Sequence, residues 1–251
     1  RQFEAEVIAF LAFDARYANT SVYIRTSAKN YLVDCGSTIP NQLWRMNADP
    51  NLIDVVYLTH FHADHAFGLA PLLVRMKEDG RSKPLPILGQ AGIKTFVERL
   101  VNFAYAGAYK TLGFQVQPIE ISPKKELRLG THTLSFHPTR HVVTNLAFRL
   151  AFGDFSLFVS GDGEWTDDSE KAFGASKYAV QECYTVEGSR KFHNSYDRIR
   201  ARVEDESEKP HPERSYLVHV ARDQRERLEE TVNATTLPLI IPRDMQTYDL
   251  N

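Results

Sequence analysis

The chain has 251 residues, of which 43 % are hydrophobic and 25 % charged, and this balance excludes a collagen-like, wholly disordered or membrane-spanning chain. Its 30 Lys and Arg residues against 32 Asp and Glu residues give a formal net charge of −2. A nearly neutral chain has no overall field that attracts polyanions, so a nucleic-acid partner is not favoured, although a local basic rim would be enough. Two cysteines are too few for a disulfide framework, and no secretory signal is recognisable, so we expect a cytoplasmic location and no membrane partner.

The N-terminal half of the chain predicts strands first and helices afterwards. Runs of β-branched and aromatic residues indicate strands, and apolar residues at helical spacing indicate amphipathic helices. Gly80 suits the end of the first predicted helix. In chain order, the predicted elements are strands at residues 20–26, 30–34 and 53–58, a helix from residue 69 towards Gly80, a strand at 86–89 and a helix at 93–101.

From about residue 131 the apolar period changes to two, which is typical of strands. Gly153-Asp154 predicts a hairpin turn, and Thr166 predicts the start of a helix through Phe173. The polar stretch 187–214 predicts a charged loop or a solvated helix. The remaining predicted elements are strands around residues 134–136 and at 145–152, 155–160, 178–184, 216–220 and 237–241, and a helix at 222–233. Two strand-rich halves with helices predict helices outside a pair of packed sheets.

The segment 59–65 (THFHADH) carries the strongest chemical signal in the sequence. Its potential metal ligands, all within six residues directly after a predicted buried strand, are His60, His62, Asp64 and His65. His60 and His62 alternate along extended backbone and therefore point the same way. Imidazole and carboxylate ligands suit zinc, manganese or iron. A chance cluster is the alternative, but the whole chain has nine histidines, which makes three in six positions improbable.

One segment cannot complete two metal sites, so further ligands must come from elsewhere. His141, Asp162 and His219 each lie near the end of a predicted strand, and glycines on both sides of Asp162 let the backbone approach a ligand closely. Taken alone, each of these histidines is more typical of a core or surface residue. Together with segment 59–65, they predict a metal centre.

These motifs, in this order, resemble the metallo-β-lactamase-fold hydrolase superfamily over nearly the whole chain. The matching pieces are the turn 33–36 (VDCG), segment 59–65, the block 160–163 (SGDG) and a late strand-borne histidine. The resemblance implies one α/β domain over residues 1–251, a four-layer αββα sandwich with a binuclear metal site at the sheet edge. It implies a first metal on His60, His62 and His141, a second on Asp64, His65 and His219, and a bridge by Asp162. Asp34 is expected either to orient a ligand or to be a simple turn residue.

Within the superfamily, the sequence is most similar to the branch of ribonuclease Z and related phosphodiesterases. The supporting residues are Asp162, Glu182 at the end of a following strand, and His193 in segment 192–195 (FHNS). Ribonuclease Z carries His-Glu-Ala-Thr where this chain has QECY, so Gln181 replaces the histidine that assists catalysis there. The sequence also shows no long Gly/Pro-rich arm of the kind that grips tRNA. These departures disfavour tRNA processing and favour the smaller phosphodiesterases, including cyclic-nucleotide hydrolases.

The resemblance thus predicts a metal-dependent hydrolase that cleaves a nucleotide, cyclic-nucleotide or nucleic-acid phosphodiester with a metal-bridging hydroxide. The expected catalytic residues are Asp64, Glu182 and His193, with His193 as candidate general acid. Two divalent ions are expected, zinc first and manganese or iron as alternatives, in a homodimer. The alternatives are a thioesterase or lactonase of the same fold, a ribonuclease Z-like tRNA 3′-processing endonuclease, or a non-catalytic metal-stabilised binding scaffold.

Other polar and aromatic side chains have a structural interpretation. Packing or surface roles are expected for His132, His137, His211, Cys35, Cys183, Trp44 and Trp165. Either tryptophan could instead stack a nucleobase. Tyr184, Arg190 and Lys191 could bind phosphate, but solvated side chains are expected at these three positions.

Overall fold

The computed structural model divides into two compact units, each with its own β-sheet. It describes residues 5–10, 17–123, 125–188, 190–205, 207 and 210–250, with only the backbone of residues 7–10. Of these residues, 5–10, 17–121 and 244–250 belong to the first unit, and 122–243 belong to the second. Within the described ranges, no helix is long and apolar enough to cross a membrane.

Strands and helices alternate along the described chain. The strands are β1 (Ala5–Phe10), β2 (Ser21–Thr26), β3 (Asn30–Val33), β4 (Val55–Leu58), β5 (Leu85–Gly89), β6 (Val116–Glu120), β7 (Leu127–Leu129), β8 (His132–Arg140), β9 (Asn145–Phe152), β10 (Phe155–Val159), β11 (Glu164–Trp165), β12 (Tyr178–Glu182), β13 (Arg214–Val218), β14 (Leu239–Ile240) and β15 (Thr247–Leu250). The helices are α1 (Ile39–Met46), α2 (Ala63–Ala66), α3 (Leu69–Glu78), α4 (Ile93–Ala104), α5 (Asp167–Gly174), α6 (Tyr196–Glu204) and α7 (Arg225–Asn233), with a 3₁₀ turn at Ala108–Thr111.

The first unit is built on a seven-stranded sheet in the order β15-β1-β2-β3-β4-β5-β6. The pairs from β15 to β3 are antiparallel, and those from β3 to β6 are parallel. Strand β4 is buried along its whole length, as its apolar sequence predicts. The two predicted helices are confirmed as α3 and α4, whose apolar stripes lie in the core of this unit. Gly80, at φ 78, follows the end of α3 in the left-handed conformation expected there.

The second unit is built on an eight-stranded sheet in the order β11-β8-β9-β10-β12-β13-β14, with β7 also paired to β8. The pairs from β8 to β10 are antiparallel and those from β10 to β14 are parallel. The predicted hairpin of β9 and β10 is confirmed, with Gly153 at φ 51 in its turn. Thr166 caps α5: its hydroxyl accepts the Ser169 N–H, and the Ser169 hydroxyl accepts the Thr166 N–H.

Several predicted strands end earlier than the sequence suggests, because polar residues at their ends leave the sheet. The strand predicted at 30–34 ends at Val33, since Asp34 takes a left-handed φ of 61. The strand predicted at 216–220 is β13, which ends at Val218 before His219 at φ 54. Positive φ is uncommon for residues other than glycine. The backbone strain at Asp34 and His219 therefore marks these two turns as candidates for a functional role.

Other elements are not predicted from the sequence. Strand β6 contains Pro118 and lies at a sheet edge, where a missing N–H is tolerated. The charged stretch 187–214, predicted as a charged loop or a solvated helix, is partly loop and partly the helix α6, which Ser195 caps through its side chain. Helix α6 is not solvated all round, because Tyr196, Ile199 and Val203 are buried in the core of the second unit. The other elements that the sequence did not predict are β1, β7, β11, β15, α1 and α2.

Candidate metal centre

In the first unit, the backbone after β4 stays extended to His62, and then the short helix α2 begins. His60 Nε2 lies 3.0 Å from His62 Nδ1, with ring centroids 4.6 Å apart. Two nitrogens bound to one tetrahedral zinc lie roughly 3.3–3.4 Å apart. The two histidines therefore have nearly the spacing of two ligands of one ion.

Asp64 and His65 form a second pair in the first turn of α2. His65 Nε2 lies 3.7 Å from Asp64 Oδ2, which is long for a hydrogen bond but suits two ligands around a common ion. The His65 ring is fully buried, and the Asp64 side chain is 18 % exposed. This pair gives the segment a second set of ligand atoms.

The buried Asp34 carboxylate orients a histidine in each of these two pairs of ligand residues. It accepts the Thr59 N–H at 2.8 Å, the Thr59 hydroxyl at 2.8 Å and His65 Nδ1 at 2.7 Å. Because the Thr59 hydroxyl donates its only proton to Asp34, it accepts a hydrogen bond from His60 Nδ1 at 3.1 Å. Both histidines thus keep Nε2 as the ligand atom. Burial raises the pKa of Asp34, and the charge and hydrogen bonds of His65, followed by the Thr59 hydrogen bonds, act in the opposite direction.

The turn that carries Asp34 packs directly against the ligand segment. The Ser21 hydroxyl donates to the Asp34 carbonyl at 2.7 Å and so holds its left-handed backbone. A Cβ atom on Gly36 would lie 2.1 Å from the Asp64 carbonyl oxygen. Only glycine lets the turn approach Asp64 this closely.

In the second unit, His141, Asp162 and His219 all follow the ends of strands, as predicted. His141 comes directly after β8, and His219 directly after β13. Asp162 Oδ2 lies 3.8 Å from His141 Nε2 and 3.4 Å from His219 Nε2. The carboxylate is therefore close to both imidazoles, which is the position that a bridging ligand needs.

Hydrogen bonds hold the His141 side chain and the backbone at Asp162 in place. His141 Nδ1 donates to the Phe192 carbonyl at 3.2 Å, which leaves Nε2 as the ligand atom. Burial lowers the pKa of His141, against the opposing charge of Asp162, and so favours the neutral form that binds metals. The Asp162 N–H donates to Asn145 Oδ1 at 3.1 Å. A Cβ atom on Gly163, at φ 107, would lie 2.7 Å from Thr139 Oγ1.

The buried Glu182 and the partly exposed His193 form a pair beside this cluster. Glu182 Oε1 accepts a short hydrogen bond from His193 Nδ1, and Oε2 accepts the N–H groups of Gly163 at 2.8 Å and Asn194 at 3.2 Å. His193 is 20 % exposed at its side chain, and Nε2 has no hydrogen-bonding partner among the described residues. One ligand-type atom from each of Asp162, Glu182, His193 and His219 lies within 4.8 Å of the others.

Gln181, at the position of the assisting histidine of ribonuclease Z, has a structural role. Its Oε1 accepts the Trp165 indole N–H at 2.9 Å, and its Nε2 donates to the Glu182 carbonyl at 3.0 Å. Trp165 is 2 % exposed and packs on Phe173 with ring centroids 4.7 Å apart. The packing interpretation of Trp165 is thus confirmed, and its ring is not available to a nucleobase.

The other structural interpretations hold for most of the remaining side chains. His132 packs on Phe152, His137 bonds Asp168 Oδ2 at 2.8 Å, and His211 donates to the Pro212 carbonyl. Cys35 and Cys183 are buried free thiols, and burial raises the pKa of both. The Arg75 guanidinium lies over the Trp44 ring at 5.6 Å.

Tyr184 differs from its expected solvated state. It is half-buried, and its ring stacks on His193 with centroids 4.3 Å apart. Arg190 and Lys191 lie over the Tyr184 and Phe192 rings respectively. No local sequence pattern marks Tyr184, because the stack depends on a loop nine residues away.

Two mixed sheets with helices, and ligand-type side chains after their strands, define an α/β protein with the metallo-β-lactamase fold. The metallo-β-lactamase fold protein YhfI from Bacillus subtilis matches with a TM-score of 0.76 and 20 % identity over 99 % of this chain and 100 % of that chain. A diphosphatase of the PhnP family matches with a TM-score of 0.73 and 16 % identity over 99 % and 98 % of the two chains. The short form of human tRNase Z matches with a TM-score of 0.71 and 16 % identity over 98 % of each chain.

A family model described as Anti-Pycsar protein Apyc1 matches residues 9–237, and the chain belongs to this family.

Curated relatives agree with the predicted branch. Ribonuclease BN of Erwinia tasmaniensis is 33 % identical over 120 residues, which are 48 % of this chain and 38 % of the relative. Ribonuclease Z of Methanococcus aeolicus is 30 % identical over 135 residues, 53 % of this chain and 41 % of the relative. The matches thus span about two fifths of the length of these relatives. The predicted superfamily and its ribonuclease Z-like branch are confirmed.

Proposed function

We propose that this protein is a two-metal phosphodiesterase that hydrolyses a small nucleotide phosphodiester, with cyclic nucleotides as the first substrate class to test. The observation that carries the proposal is the Glu182–His193 pair beside Asp162. The metal ligands alone do not distinguish a phosphodiester from a thioester or a lactone. A positioned imidazole with a partly exposed side chain supplies what an unactivated phosphodiester needs, a proton for its leaving oxygen.

The ligand-type side chains of both units fit divalent ions. The spacing of His60 and His62, the orientation of His65 by Asp34, and the closeness of Asp162 to two imidazoles support this assignment. We assign His60, His62 and His141 to a first ion, Asp64, His65 and His219 to a second, and Asp162 to both. Bound there, the ions would offset phosphate charge and lower the pKa of a coordinated water. Zinc is the first candidate, with manganese and iron as alternatives.

His193 is the proposed general acid. Its Nδ1 is held by Glu182, so Nε2 is the atom that carries a proton to the leaving oxygen. The Glu182 carboxylate orients the imidazole through this hydrogen bond, as a buried carboxylate orients a catalytic histidine in hydrolases. Glu182 is fully buried and both its oxygens accept hydrogen bonds, so it acts as a positioning residue. Asp64 acts as a metal ligand.

The alternatives differ in what they demand of His193. A thiolate is a stable leaving group, so a thioesterase has little need of a general acid. A ribonuclease Z-like endonuclease is supported by the names of the curated relatives, but Gln181 is bound to Trp165 and does not replace the missing histidine. RNA therefore belongs among the test substrates. A non-catalytic scaffold would bind metal without turnover.

We also propose that the protein is a cytoplasmic homodimer. An apolar surface of the first unit supports self-association: Phe103 is 93 % exposed and Phe67 is 48 % exposed. Together with Phe61, Phe96 and Leu100, these residues line an open apolar groove. Exposed aromatic side chains grouped in this way mark protein interaction surfaces.

The experiment is hydrolysis of bis(p-nitrophenyl) phosphate by the purified protein loaded with zinc or manganese, followed by cyclic nucleotides, short RNA, a thioester and a lactone. Asp64→Ala should lose turnover, whereas Asp154→Ala, in the exposed hairpin turn, should keep it. Turnover of thioesters or lactones alone would contradict the proposal. Bound metal without any turnover would support the scaffold instead.

A further inference from the structure

An aromatic ring, that of Tyr184, stacks on the proposed acid His193. The Tyr184 and His193 rings lie face to face, with an interplanar angle of 24° and centroids 4.3 Å apart. The Arg190 guanidinium carbon lies 5.1 Å from the centroid of the Tyr184 ring. Tyr184 belongs neither to the metal-ligand set nor to the hydrogen bonds of Glu182.

The backbone of Tyr184 ties three segments of the second unit together. Its N–H donates to the Asn194 carbonyl at 2.9 Å, and its carbonyl accepts the Ala221 N–H at 3.0 Å. The His193 N–H donates to the Arg190 carbonyl at 2.9 Å, which closes the turn that carries the imidazole. The Tyr184 ring is thus anchored to the same loop as the ring it contacts.

A single hydrogen bond at Nδ1 fixes one atom of the imidazole but leaves its plane free to tilt. A proton donor must point at its acceptor, because hydrogen bonds weaken steeply when they are bent. Resting on the proposed function, we propose that Tyr184 is a positioning residue: by stacking on His193, it fixes the plane of the imidazole and directs Nε2 towards the leaving oxygen. Offset stacking of two rings is favourable enough to select one orientation.

The step that depends on this orientation is the departure of the leaving group. The water oxygen forms a bond to phosphorus as the bond from phosphorus to the leaving oxygen breaks. The leaving oxygen takes the electron pair of that bond together with the Nε2 proton of His193. The attacking water gives up one proton to solvent, and Nε2 of His193 takes up one proton from solvent, so the cycle is balanced.

The test uses esters of thymidine 5′-monophosphate that differ only in the leaving group: p-nitrophenyl, phenyl and methyl. p-Nitrophenolate leaves without a proton, whereas methoxide needs one. Tyr184→Leu should lower kcat roughly tenfold for the methyl ester and leave kcat for the p-nitrophenyl ester nearly unchanged. KM should be unchanged for both esters. Tyr184→Phe and Tyr184→Trp keep an aromatic plane and should keep the wild-type kcat on all three esters.

The outcomes separate this inference from the proposed function. No hydrolysis of any ester by the metal-loaded wild type would overturn both. Wild-type turnover with equal losses of kcat in Tyr184→Leu on all esters, or a change confined to KM, would overturn only the positioning role of Tyr184. Equal losses would indicate general damage to the site, and a KM change would indicate a substrate contact.

Discussion

Each unit uses a buried carboxylate to hold a histidine by its Nδ1 atom. Asp34 holds His65 at 2.7 Å in the first unit, and Glu182 holds His193 in the second. Each carboxylate is distant in sequence from the histidine that it holds: Asp34 is 31 residues before His65, and Glu182 is 11 residues before His193. The ligand types and spacing of segment 59–65 were therefore readable from sequence, whereas the hydrogen bonds that orient the rings required the folded chain.

Replacing Asp34 by Asn should weaken metal binding while leaving the ligands themselves intact. Asn can accept from only one oxygen and carries no charge to support His65 and Thr59, so we expect roughly 10- to 100-fold lower zinc affinity. Competition with a chromophoric chelator measures this without reference to activity. Asp154→Asn serves as the control, and an unchanged zinc affinity in Asp34→Asn would contradict the orienting role.

Among the elements, the strongly patterned ones were predicted and the irregular ones were not. Helices α3 and α4 and the β9–β10 hairpin follow from apolar spacing and turn residues. Strand β15 pairs with β1 from the opposite end of the chain, and local patterns hold no information about such a partner. The strand ends at Asp34 and His219 were overestimated because tertiary contacts, rather than β propensity, set their backbone angles.

The turn at Gly36 should tolerate no side chain. Gly36→Ala would place a methyl group against the Asp64 carbonyl, and overpacking of this kind costs about 1–3 kcal/mol of unfolding free energy. Urea denaturation of the metal-free protein measures that loss. Gly107→Asn, at a left-handed position with open space around it, should change stability much less, and equal effects of the two substitutions would argue against the close approach.

At the scale of the whole molecule, the chain enters the second unit and then returns to the first through β15. Among the described residues, the first unit is therefore not a continuous stretch of sequence, and we propose that both units belong to one domain over residues 1–251. We expect a single calorimetric transition with equal calorimetric and van't Hoff enthalpies. Two resolved transitions would show that the units unfold separately.

The proposed homodimer also makes a measurable prediction. Phe103→Glu introduces a charge into the exposed apolar surface of the first unit and should shift the protein to monomer at micromolar concentration. Sedimentation equilibrium of the wild type and the variant provides the comparison. Lys110→Glu, in the 3₁₀ turn, is the control for the added negative charge. A monomeric wild type would exclude this assembly.

The hairpin turns before β3 and β10 lie at the opposite ends of these strands from the residues with proposed chemistry, and this separation has a practical consequence for labelling. In β3 and in β10, the residues with proposed chemistry follow the C-terminal end of the strand, and a short hairpin turn precedes the N-terminal end. The turns at residues 27–29 and 153–154 thus lie a full strand length from Asp34 and Asp162. A fluorophore or epitope tag inserted at residues 153–154 would report on the protein in cells without altering the loops on which its chemistry depends.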